Sequence, residues 1–123
     1  MKIGILCACA PEFEPYRSAL GGDTAFIHGM QRTDGVLCGH EISAVFCGIG
    51  KVNAALGAMT LIRDCGADRI IMSGVAGAIR RGVHIGQCIM ITDCIYHDLS
   101  PQLITDYHPS GIAPDFLCEK DVV

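Results

Sequence analysis

The sequence contains no tryptophan and only three tyrosines and four phenylalanines, so aliphatic side chains must fill whatever core it builds. It is also poor in charge. Asp, Glu, Lys and Arg make up 18% of the chain, and nine basic against thirteen acidic residues leave a formal net charge of −4. That balance argues against a sequence-independent binder of nucleic-acid backbones, which needs a basic surface. Long hydrophobic runs are missing too. The run that opens Met1-Lys2-Ile3-Gly4-Ile5-Leu6 is broken at Pro11-Glu12, too early for a signal-peptide core or a membrane span. A soluble, cytoplasmic protein with neither a membrane nor a nucleic-acid partner is the expectation.

Eight cysteines are present, but none forms a Cys-x-x-Cys pair. Cys7, Cys9, Cys47, Cys88 and Cys94 lie in apolar, strand-like segments, where a free thiol behaves as a small hydrophobe. Reduced structural thiols are therefore expected, rather than a disulfide framework. Cys7 and Cys9, two apart, lack further ligands at metal spacing. The five histidines are scattered, and no metal site and no cofactor are expected.

What is present is apolar and punctuated by glycine: half of the 123 residues are hydrophobic and fifteen are Gly. The length suits one modest domain, residues 1–123, and not two. Lys2–Cys9 reads as a strand covered on both faces. Ala10-Pro11-Glu12-Phe13-Glu14-Pro15 opens a helix to about Leu20, with both prolines placed in or before its first turn. Thr24–Arg32, Gly35–Leu37 and Glu41–Cys47 read as three strands joined by turns at Thr33-Asp34-Gly35 and Gly39-His40. Lys51–Cys65 carries Val52, Ala55, Leu56, Met59 and Ile62 at helical spacing, with Gly66 just past its end. Arg69–Ser73 and Cys88–Ile95 are further strands, separated by the basic loop Arg80-Arg81-Gly82. The order predicts an α/β protein, a mixed twisted central sheet flanked by helices.

Two glycine turns follow apolar runs: Cys47-Gly48-Ile49-Gly50-Lys51-Val52-Asn53 and Ser73-Gly74-Val75-Ala76-Gly77-Ala78. Each should sit at the carboxyl end of a strand, the edge where open α/β sheets bind small ligands. The first is not a Walker loop, since Val45 and Val52 stand where Gly and Ser or Thr are needed. It is not a dinucleotide fingerprint either, because Asn53 replaces the third glycine. It is either a close backbone approach to a ligand or a turn shaped only for chain reversal. Glu12 lies beyond the first strand at the same edge. Taken alone it is a solvated, helix-dipole-complementing carboxylate; the functional reading is a general base that deprotonates water. Glu14 faces elsewhere on the helix. His97 and Asp98 end the last strand and point to opposite sides, so they do not form a dyad, and structural support is their expected role.

In order, Met1-Lys2-Ile3-Gly4-Ile5, Glu12, Gly48-Ile49-Gly50-Lys51-Val52-Asn53-Ala54-Ala55, Gly74-x-Ala76-Gly77 and Tyr96-His97-Asp98 resemble the 5′-methylthioadenosine/S-adenosylhomocysteine nucleosidases of the nucleoside phosphorylase superfamily. The resemblance implies a nucleoside phosphorylase-like α/β domain, a homodimer, and hydrolysis of the bond between adenine and a 5′-thio-substituted ribose. It implies that Glu12 activates the attacking water. Cys9 matches a methionine that touches the ribose, and Ile49 a residue of the alkylthio pocket. Ala76 and Gly77 match backbone positions beside the nucleoside, and Tyr107–Pro114 a loop that reaches across the dimer.

The chain departs from that pattern in three places. Val75 occupies a substrate-side position where the family usually carries serine. Leu99-Ser100-Pro101-Gln102 leaves the family sequence. Family chains are about twice as long, and their second half carries a Met-Glu pair for the ribose hydroxyls and an aspartate that protonates the leaving adenine. An incomplete domain with little activity of its own is the expectation. A purine nucleoside phosphorylase, a futalosine hydrolase or a non-catalytic nucleoside-binding protein are the alternatives. The first of these is disfavoured because Cys9-Ala10-Pro11-Glu12 offers a carboxylate, and no cation, to an attacking phosphate.

Overall fold

A computed structural model describes residues 1–79 and 81–94. Met1–Gly77 forms one unit and the chain from Ala78 onward a second. In the first unit five strands and two helices follow the order β1 (Lys2–Cys7), α1 (Ala10–Ala19), β2 (Ala25–Ile27), β3 (Met30–Leu37), β4 (His40–Phe46), α2 (Lys51–Arg63) and β5 (Arg69–Met72). The sheet order is β2-β3-β4-β1-β5. β1 runs parallel to both β4 and β5, whereas β3 is antiparallel to β2 and β4. This is the expected mixed sheet.

Alternation along β1 sorts the core into two layers. Ile5 and Cys7 join Phe13, Ile42 and Ala44, with Tyr16 and Leu20 of α1 packed against them. Leu6 points the other way, to Val45, Cys47, Leu61 and Cys65, with Ala54 and Ala58 of α2 alongside. One helix thus covers each face of the sheet, and the period-2 alternation of strands decides which residues each helix meets. Phe13 and Phe46 supply the aromatic contact, ring centroids 6.3 Å apart.

Several sequence expectations are corrected. The strands placed at Thr24–Arg32 and Gly35–Leu37 are instead β2 and an uninterrupted β3, with the reversal at His28-Gly29. Both turn residues have positive φ, 49° and 80°, as do Cys38 and Gly39 at the next reversal, 50° and 77°. These are the mirror-image turns that match strand twist, but His and Cys occupy positions where Asn or Asp is the usual signal. Gly35 is no turn residue: a Cβ there would stand 2.9 Å from the Leu20 carbonyl oxygen, so glycine lets the end of α1 approach β3. Pro15 lies inside α1 beyond its first turn. The hydrogen bond it removes is the one to the Pro11 carbonyl, and both prolines are exposed, so water can take its place.

The apolar row on α2 faces outward. Val52, Leu56, Met59 and Ile62 are exposed, while Gly57, Thr60 and Leu61 are buried. Residues 88–94 form no strand, and Cys88 and Cys94 are exposed rather than core thiols. A row of strand formers becomes a strand only where a partner backbone accepts it. All described cysteines are free. Arg80, Ile95, the triplet Tyr96-His97-Asp98 and the loop Tyr107–Pro114 lie outside the described residues. Among those described, no helix is long and apolar enough to cross a membrane.

Candidate active site at the carboxyl edge of the sheet

Because β1, β4 and β5 are parallel, with Cys7 opposite Phe46 and Leu6 opposite Met72, their carboxyl ends share one edge. Three segments leave there: Ala8-Cys9 into α1, Cys47–Gly50 into α2, and Ser73–Gly77. Both glycine turns and Glu12 therefore meet at the edge the sequence pointed to.

Glu12 is the third residue of α1, whose amino-terminal cap is Cys9. Its Oε2 accepts the backbone N–H groups of Ala8 at 3.0 Å and Cys9 at 3.2 Å. Oε1 accepts the N–H of Val75 at 2.9 Å, from the far side of the site. The carboxylate thus closes a capping box on its own helix and bridges to the β5 turn. These donors hold its pKa below the ordinary glutamate value; the Val75 N–H acts most strongly, and partial desolvation opposes it. Gly74 is required for this bridge, since a Cβ at that position would stand 2.7 Å from Oε1. Glu14, by contrast, is exposed and pairs with Arg17 at 2.6 Å.

Of the other expected site residues, the structure brings Cys9 and Val75 to Glu12. Cys9 donates its N–H to Oε2, and its side chain adds to the lowering of the carboxylate pKa. Val75 contributes backbone only, and its side chain is exposed. Ala76 and Gly77 follow it on the exposed segment. Ile49 is exposed at the β4–α2 turn, and its carbonyl accepts the Asn53 side-chain amide at 2.8 Å. Gly48 and Gly50 hold that turn at φ 91° and 109°.

Three contributors were not singled out from sequence. Ala8 gives an N–H that any residue type could give. Tyr16 and Ser73 join their hydroxyls at 2.6 Å. Tyr16 lies four residues after Glu12, a helical spacing that could have pointed to it. Below the site, Cys7 is buried, and its thiol pKa is pushed up to about 12 by burial and by the Glu12 charge, which makes it a neutral packing group. No group of three or more His, Cys, Asp or Glu that could hold a metal occurs among the described residues. A groove of about 480 Å³ beside α2, lined by His28, Met30, Leu56, Met59 and Arg63 among others, does not include Glu12.

The lowered pKa has a consequence for stability. Because the folded value lies below the unfolded one, Glu12 contributes stability at pH above the ordinary glutamate pKa. That contribution is lost as pH falls through the lowered folded value. In urea unfolding followed between neutral and acid pH, Glu12→Gln should flatten the acid part of the profile. An unchanged acid slope would show that the three N–H bonds do not favour the charged form.

A family model described as "Phosphorylase superfamily" matches residues 2–122. A 5′-methylthioadenosine/S-adenosylhomocysteine nucleosidase of Bacillus cereus (strain B4264) is 31% identical over 126 aligned positions, 100% of this chain and 54% of the relative. A crystal structure of the corresponding nucleosidase of Colwellia psychrerythraea 34H, in complex with adenine, superposes with a TM-score of 0.76. It is 30% identical, covering 93% of this chain and 47% of that one. A futalosine hydrolase of Helicobacter pylori superposes at 0.69 with 28% identity, covering 95% and 50%. The chain spans about half the length of the curated relatives it matches. Sheet, edge and family model agree: this chain belongs to the phosphorylase superfamily, where it is similar to the amino-terminal half of the 5′-methylthioadenosine/S-adenosylhomocysteine nucleosidases.

Proposed function

We propose that this chain carries the water-activating half of a nucleosidase site. The reaction is hydrolysis of the N-glycosidic bond of 5′-methylthioadenosine/S-adenosylhomocysteine-type nucleosides, with release of adenine. The observation that carries the reading is the Glu12 carboxylate, pinned by backbone N–H groups from two separate segments at the ligand edge of the sheet. It is ionised at neutral pH and would repel phosphate, which favours water as the nucleophile.

Breaking the bond builds an oxocarbenium-like sugar. Water that joins such a carbon becomes strongly acidic, so a carboxylate of low basicity suffices to orient it and take its proton. The Cys9 thiol, a weak donor, leaves room for water to bond to the Glu12 carboxylate. Cys9 then faces the ribose, Ile49 the 5′ substituent, and Val75, Ala76 and Gly77 the nucleoside along its edge. Each of two positioned groups, a base for water and an acid for adenine, is worth roughly 10²–10⁴-fold. With Glu12 as the only one of these that the 123 residues match, the isolated polypeptide should release little adenine. A homodimer in a reducing, cytoplasmic setting belongs to the same proposal. It is supported by the exposed apolar row of α2 and by the free thiols.

Adenine release tests the reading. The protein purified from its natural source is assayed with and without inorganic phosphate, beside the 123-residue polypeptide. Phosphate-independent release by the former is expected, with at most a small fraction of that rate from the latter. A rate that requires phosphate and yields ribose 1-phosphate overturns hydrolysis. The likeness to a futalosine hydrolase supports a second reading in which another 6-substituted purine nucleoside is the substrate. Preference for futalosine over methylthioadenosine in the same assay would select it.

A further inference from the structure

We propose that Tyr16 and Ser73 form a positioning pair that sets the Gly74-Val75 turn against Glu12. This rests on the reading of Glu12 as the water-activating base. β5 is tied to β1 as far as Ser73, whose N–H donates to the Leu6 carbonyl at 3.0 Å. Beyond it come Gly74, which lacks a side chain, and Val75, whose N–H reaches Glu12. A glycine between the last fixed residue and the donor is a hinge. The Tyr16 hydroxyl meets the Ser73 hydroxyl at 2.6 Å, immediately before that hinge.

Tyr16 suits this task because its ring packs on the core layer of Ile5, Cys7, Phe13, Ile42 and Ala44, which fixes where the hydroxyl points. Tyr16 and Glu12, four residues apart, lie on one face of α1. The helix therefore grips the β5 turn twice, once on each side of Gly74. With the hydroxyl pair cut, Gly74 is free to turn and the Val75 N–H to leave Oε1. The carboxylate then loses a directional partner as well as its strongest stabilising donor. Among the described residues, the titratable groups around Glu12 are Cys7 and Cys9 from β1 and its exit, Cys47 from the exit of β4, and Tyr16 from its own helix. The β5 turn brings a hydroxyl and N–H groups only.

The test uses Tyr16→Phe, Ser73→Ala, their combination and Ser73→Thr. The active protein from the natural source is read by kinetics. The 123-residue chain is read by a carbon-13 titration of the Glu12 carboxyl, assigned with Glu12→Gln. Either single change should lower kcat by roughly tenfold, since small misplacements of a reacting group are costly, with KM little altered. It should also move the acid limb and the Glu12 titration to higher pH. The double variant should be no worse than either single one, and Ser73→Thr should restore both readouts. An unmoved titration midpoint in a folded Tyr16→Phe chain overturns the pair, as does additive loss in the double variant. An active Glu12→Gln overturns the base reading instead, and the titration still judges the pair.

Discussion

Glu12→Gln is expected to cut adenine release by about 10²–10⁴-fold, the usual worth of a positioned acid or base. Glutamine keeps the shape but cannot take a proton from water. It also cannot satisfy the site. Oε2 receives two N–H groups and Oε1 a third, so in either orientation the amide nitrogen faces a backbone donor. Glu14→Gln is the control, because Glu14 is exposed and, among the described residues, pairs with Arg17 and Ser18; its rate should match the parent. Turnover by the protein from its natural source decides the matter. A Glu12→Gln variant within about tenfold of the parent rate would remove Glu12 from the chemistry.

The largest stability effect is expected at Gly57, where α2 crosses the sheet. A Cβ there would stand 2.6 Å from both the Cys47 Cβ and the Leu6 Cδ1. Leu6 and Cys47 are themselves buried, and the Cys47 Cβ cannot move without its backbone. Gly57→Val should therefore cost about 3 kcal/mol, the upper part of the usual overpacking range. A helix-propensity gain of a few tenths of a kcal/mol offsets little of it. The midpoint and slope of urea unfolding measure the change. Because Cys47 leads directly into Gly48-Ile49-Gly50, the displacement should also disturb the Ile49 turn. An unchanged midpoint would mean that α2 stands further from the sheet.

The long elements were legible because their signals are local and repeated. Apolar runs marked β1, β4 and β5, and helical spacing marked α2. Proline and glycine punctuation misled where the same residue serves two physical purposes. Gly35 reads as a turn but accommodates Leu20 of a neighbouring helix, while the true reversal uses His28 at positive φ. The α2 row of Val52, Leu56, Met59 and Ile62 identified a helix without identifying its inner face. Close packing over the sheet instead selects Gly57, Thr60 and Leu61. Residues 88–94 have strand composition but no strand, since composition does not provide a partner.

The site divides along the same line. The sequence by itself determined that Glu12, Cys9 and the two glycine turns leave strands at places where a parallel sheet opens to ligands, because apolar runs and the residues that end them are written locally. Only the tertiary structure decided that the Val75 N–H meets Glu12 and that Tyr16 meets Ser73. Those contacts join residues 63 and 57 positions apart. They exist because the register of β5 on β1 and the seat of α1 on the sheet bring a particular N–H and a particular hydroxyl within bonding distance, and no local pattern encodes either.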